Sequence, residues 1–180
     1  ISKKDLGEIA YVTAIVGLLT GIMFLNVPDS SNRIILNEDN KHNQNKIINS
    51  LTNFSFLSGL IFLIIFVLIS ITFNLIDVRL LLIITAMLFS ALTSKLSRYV
   101  FQIFQNTKLL TIVILITEYI SLGLICLVLY NNWYDDVLTI LYIYVICLIF
   151  SSLYLFFRLF KSFSFDLIID FKTVKKVLKI

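Results

Sequence analysis

Glu118 is the residue of this chain whose type and position most demand a chemical explanation. It lies near the middle of an apolar run, Leu109 to Tyr130 (LLTIVILITEYISLGLICLVLY). A carboxylate at that depth in hydrocarbon costs at least ~2.5 kcal/mol, so it should face protein or a water-filled cavity. At 100° per residue, Thr107, Thr111, Glu118 and Ser121 fall on one helix face, within an arc of about 80°. The stripe predicts a cavity-lining Glu118, flanked by Thr111 and Ser121, able to hold a proton or a coupling cation. A structural acid paired with a neighbouring Thr or Tyr, and protonated by apolar surroundings, fits the same pattern.

Little else in the chain offers reactive chemistry. Cys126 and Cys147 both lie inside apolar runs and read as small buried hydrophobes rather than as a disulfide or metal pair. His42 stands alone in a polar segment. No catalytic constellation, metal-ligand set or cofactor motif emerges, so the expectation is a protein that is not an enzyme and carries no cofactor.

The elements that must position Glu118 are membrane helices. Of 180 residues, 59% are hydrophobic and one is proline. A soluble domain of this size could not hide that much apolar surface. The apolar runs are continuous rather than alternating, which selects helices over barrel strands. Five spans are predicted: Ile9–Val27, Phe54–Phe73, Val78–Leu96, Leu109–Tyr130 and Val137–Phe157. The other four read as packing partners of the fourth. Gly17-x-x-x-Gly21 in the first predicts a close helix approach. Residues 28–53 read as a polar loop, with Asn37–Lys46 solvated or a frayed helix end. The third span should continue through YVFQIFQ. Residues 1–163 thus form a bundle, and the basic, amphipathic segment 164–180 forms a surface helix. Asp77 and Arg79, in the tight turn Asn74–Arg79, form an outer-turn pair or simply solvate.

The net charge of +4 matters less than where the charges lie, because basic residues set membrane orientation. Five crossings place twelve of the fifteen lysines and arginines on one side, leaving Lys3, Lys4 and Arg79 on the other, while the acids divide evenly. The bias predicts a cytoplasmic C-terminal end and an outer N-terminal end in a plasma membrane. The charge is accounted for by orientation, so no nucleic-acid partner is expected. An outer start without an initiator Met or a leader-like sequence predicts a further helix before Ile1.

The pattern resembles a known family. Ser2-Lys-Lys-Asp-Leu-Gly-Glu before a span resembles the outer loop between helices one and two of Wzx-type polysaccharide flippases. These belong to the multidrug/oligosaccharidyl-lipid/polysaccharide exporter superfamily. TSKLSRYVFQIFQNTKLL (Thr93–Leu110) resembles their connection between helices four and five. FRLFKSFSFDLIIDFKTVKKVLKI (Phe157–Ile180) resembles the segment after helix six. The resemblance implies an all-α membrane protein comprising about helices 2–6 of a 12–14-helix, two-lobed transporter, plus an amphipathic C-terminal helix. It implies a substrate, a polyprenyl-diphosphate-linked oligosaccharide moved from the cytoplasmic to the outer leaflet, and glycan polymerase or glycosyltransferase partners beside the bilayer itself. Such a headgroup requires cations where it enters, since phosphates pair with Arg and Lys. Arg98, then Arg33, with Lys95, are the candidates; all three also fit simple headgroup anchors. Glu118 would then bind the coupling ion or sugar hydroxyls. A small multi-span scaffold is the competing class, and a membrane enzyme of the same glycan pathway is a weaker one. A groove lined by Glu118 favours transport; a closed bundle with Glu118 paired internally favours a scaffold.

Overall fold

A computed structural model describes residues 3–24, 35, 38, 40–103, 107–131, 133, 137–162 and 169–178. Its described elements are α1 (Lys3–Phe24), α2 (Lys41–Thr72), α3 (Val78–Ile103), α4 (Thr107–Tyr130), α5 (Val137–Ser162) and the short α6 (Phe171–Leu178). The first five are long and apolar enough to cross a membrane, and no strand occurs among the described residues. The chain is an all-α membrane protein.

The organising helix is α3, not α4 as the sequence suggested. It packs on α1, α2, α4 and α5. Ile84, Leu88, Leu92, Leu96 and Val100, spaced four apart, are all fully buried on it. Thr93 and Ser97 share that burial because each hydroxyl donates to its own helix, to Phe89 O (3.1 Å) and Thr93 O (2.7 Å). Such back-bonding satisfies a polar group without a partner helix. α4, by contrast, leans mainly on α5 and buries only Leu110 and Ser121. Close helix approach occurs at Gly59, where a Cβ would lie 2.5 Å from Leu92 Cδ1. Gly17 and Gly21 were expected to mark such a seam, yet a Cβ added at either would meet no other described part of the chain within 4 Å.

The ends of the bundle differ. At one end α2 turns tightly into α3. Asn74 takes φ 48°, its N–H donates to Ile71 O (3.3 Å), and the Leu75 N–H donates to Ser70 O (3.1 Å). This is a Schellman termination with Asn in the left-handed position. Asp77 then caps α3, accepting from the Arg79 N–H at 3.1 Å. Its role is thus a backbone cap.

At the other end α2 begins at Lys41, about three and a half turns before the expected boundary at Phe54, within the tract read as a loop. Asn40 supplies the reason: its side chain accepts from the His42 N–H at 2.9 Å, a favoured N-cap. Ile48 and Leu51 then give the extension an apolar side, in a second core with Phe101, Leu159 and Val174. At 1.5 Å per residue the 32-residue helix runs ~48 Å, well beyond a ~30 Å hydrocarbon slab. α6 docks on this extension. Ser50 Oγ accepts from the Asp170 N–H (2.7 Å) and donates to Asp170 O (3.2 Å), and Lys46 pairs with the Asp170 carboxylate (3.7 Å).

Candidate functional site

The up-and-down order of the spans brings the C-terminal ends of α1, α3 and α5 to the same end of the bundle as the N-terminal ends of α2 and α4. Lys46, Lys95, Arg98, Lys108, Arg158 and Lys161 all belong to this basic end. A cavity of about 470 Å³ opens here, lined by α1, α3, α4 and α5.

Its polar character comes chiefly from α3. Ser90, Ser94, Arg98 and Gln102, four residues apart, line the cavity, with Lys95 beside them. Residues spaced i, i+4 share a helix face, so a single stripe of α3 supplies two hydroxyls, an amide and a guanidinium. α4 contributes Thr117 and Glu118, α1 contributes Thr20, and α5 contributes Ser151. Apart from Tyr99 of α3, the remaining lining is apolar.

The cations are held differently. The Lys95 ammonium lies 4.5 Å from the centre of the Phe24 ring, a cation–π position that orients the amine without neutralising it. Arg98 is exposed along the cavity. Neither forms an ion pair with Glu118 or any other acid among the described residues. Tyr144, half-buried on α5, lies within electrostatic range of both Glu118 and Arg98. Ser90 is 3% exposed, yet its hydroxyl has no hydrogen-bond partner among the described residues. A buried donor left unmade costs on the order of 1–3 kcal/mol, so the site gains when a ligand or water supplies an acceptor.

The sequence-derived candidates separate here. Lys95, Arg98 and Glu118 come together around the cavity. Thr111 and Ser121 do not line it: Thr111 is exposed and donates to Thr107 O (3.0 Å), while Ser121 is buried and donates to Glu118 O (3.0 Å). The cavity face of α4 runs instead through Val113, Ile114, Thr117 and Glu118. Arg33 lies outside the described residues. The residues that sequence reasoning missed, Ser90, Ser94 and Gln102, carried a legible signal in their four-residue spacing with Arg98.

With two cations, one acid and several hydroxyls, the cavity can take a polyanionic group through charge-assisted hydrogen bonds and adjoining hydroxyls through neutral ones. Among the described residues, no three of His, Cys, Asp and Glu come together as a metal set. No family model, curated protein or solved structure matches this chain.

Proposed function

We propose that this chain is part of a transporter that carries a lipid with an anionic, oligosaccharide-bearing diphosphate headgroup across the bilayer. The observation that carries the reading is the pair of cations, Lys95 and Arg98, without acidic partners among the described residues, in a cavity of about 470 Å³ at the basic end of a membrane bundle. Ionised groups inside a membrane protein are costly and are retained where a pathway uses them. Arg offers a forked donor set suited to phosphate, and Lys a compact charge. The basic end is the one that positive charge would hold in the cytoplasm, where lipid-linked precursors are assembled on the resemblance described above. The bundle is one side of such a pathway; the sugar portion would occupy the open part of the cavity beside Glu118.

Glu118 serves this function as a coupling acid or as an acceptor for sugar hydroxyls. Its place on the cavity wall favours transport over a scaffold, for which an internally paired acid would be expected.

The test is flipping of a fluorescent polyprenyl-diphosphate oligosaccharide in proteoliposomes made with the full-length protein. Arg98→Gln should lower the rate about tenfold or more, the factor for losing one hydrogen bond to a charged group. Glu118→Gln should abolish dependence on the ion gradient. Wild-type rates in Arg98→Gln and Lys95→Gln together would end the transport reading.

A further inference from the structure

A second hollow lies directly behind the first. It is an apolar groove of about 560 Å³ on the outer side of α4 and α5. Its walls include Ile116, Ile120 and Leu124 of α4 with Ile146 and Phe150 of α5. These side chains are exposed, so the groove opens outward, toward lipid in a bilayer. Val113, Thr117 and Ser151 belong to both hollows. The seam between α4 and α5 is therefore one side-chain layer thick at these residues, with a polar, cationic chamber inside and a hydrocarbon-lined channel outside.

The chemistry of the seam suits one occupant. The Thr117 hydroxyl donates to Val113 O at 2.8 Å and the Ser151 hydroxyl to Leu148 O at 3.0 Å. Both hydroxyls are satisfied within their own helices, so a hydrocarbon chain crossing there would strand no donor. The cations and the unpartnered, buried Ser90 hydroxyl stand on the inner side. α4 is the least buried of the five membrane-length helices, so little protein stands between the seam and the outer groove.

We infer that the α4–α5 seam is a lateral portal: one amphiphile sits with its anionic headgroup in the cavity and its hydrocarbon chain in the outer groove. The inference rests on the headgroup reading of the cavity and adds the route of the chain. An ordinary annular lipid would need no connection between groove and cations; this occupant requires it.

A C20 prenyl diphosphate carrying a diazirine mid-chain tests the portal on the full chain in liposomes. Its uncharged prenol and inorganic diphosphate serve as controls. The charged probe should label residues 116–124 and 146–154 about tenfold more than the equally exposed outer face of α2, and the prenol should not discriminate. Excess unlabelled prenyl diphosphate should remove the enrichment. Arg98→Gln and Lys95→Gln, checked for retained helicity, should each reduce it about tenfold, the factor for one lost charged contact. Even labelling of both faces by the charged probe, while inorganic diphosphate still binds with a dependence on Arg98, would overturn the portal and leave the headgroup site standing. Absence of any Arg98-dependent diphosphate binding would overturn both. Enrichment that persists in both variants would assign the groove to bulk lipid and overturn the portal.

Discussion

α3 and α4 are both long enough to cross a membrane, yet they take opposite places in the molecule. In its membrane window α3 is 56% buried, whereas α4 is 6% buried and is the more apolar of the two. In water the order would be reversed, because apolar surface seeks the interior. In a bilayer the lipid is as apolar as leucine, so hydrophobicity does not drive a helix inward; packing of small residues and satisfied polar groups does. α3 has both kinds: Ala86, Ser90, Ala91 and Ser94 are small enough to let neighbours approach, and the buried hydroxyls of Thr93 and Ser97 bond within the helix. α4 has mostly large aliphatic side chains with lipid on one side and the cavity on the other. The helix richest in leucine and isoleucine is thus the peripheral one.

The comparison can be broken most directly by truncation. Leu92, fully buried on α3 against α2, should lose ~2–5 kcal/mol when changed to Ala, as cavity-forming core substitutions do. Leu122, 61% exposed on α4, should lose no more than ~0.5 kcal/mol for the same change. Thermal unfolding in a mild detergent measures both. Equal losses would mean that α4 is as much a core element as α3.

A second pair of substitutions separates packing from chemistry on α3 itself. Arg98→Gln should weaken diphosphate binding by ~1.5–3 kcal/mol, read by titration calorimetry, and leave the unfolding temperature unchanged, since Arg98 is exposed along the cavity. Ser90→Ala should leave stability the same or raise it, because the hydroxyl removed is a buried one without a partner. A large loss of stability in Ser90→Ala would instead assign that hydroxyl a structural bond.

The class, the helical state and the five long apolar elements were legible because the bilayer makes long apolar runs unambiguous. The organising helix was not. Glu118 draws attention as a lone acid, but one acid does not make a helix central, and 100° periodicity around it selected Thr111 and Ser121 when the cavity face runs through Ile114 and Thr117. The better signal was the run Ser90, Ser94, Arg98, Gln102, which a search for acids passes over. Gly17 and Gly21 misled similarly: spacing shows that a helix could approach, whereas Gly59, without a motif, is where one does. The boundary of α2 was missed because the polar tract Asn37–Lys46 contains its own cap, Asn40, and a cap matters only once the apolar residues beyond it have a surface to meet. That surface is made by the far end of α3 together with α5 and α6, all distant in sequence.

The two ends of the bundle give smaller effects. Asn74 is in the left-handed region, which Gly occupies freely and a β-branched residue does not. Asn74→Val should therefore destabilise the turn by ~1–2 kcal/mol, while Asn74→Gly should stay within ~0.5 kcal/mol of wild type. Similar losses in both would show that the Asn side chain, and not its backbone, matters.

At the basic end α2 and α6 share the apolar core of Ile48, Leu51 and Val174, and Asp170 adds polar contacts of three kinds. Asp170 caps α6 through the Lys172 N–H (3.0 Å), bonds through its backbone N–H and C=O to the Ser50 hydroxyl, and pairs with Lys46. These roles differ in weight. Loss of the cap in Asp170→Ala should cost ~0.5–2 kcal/mol of α6 docking. Lys46→Ala removes only an ion pair whose amine is largely in solvent, worth ~0–1 kcal/mol and further screened by salt. Amide exchange across 171–178 reads both: Asp170→Ala should accelerate it severalfold, and Lys46→Ala should leave it nearly unchanged at about 0.15 M salt. If Lys46→Ala released α6 as fully as Asp170→Ala does, the attachment would be electrostatic, and α6 would dissociate from α2 as ionic strength rises. The neutral bonds of the Ser50 hydroxyl to the Asp170 backbone argue for the opposite: a docking that salt does not undo, holding the amphipathic segment to the bundle at the end where the cavity opens.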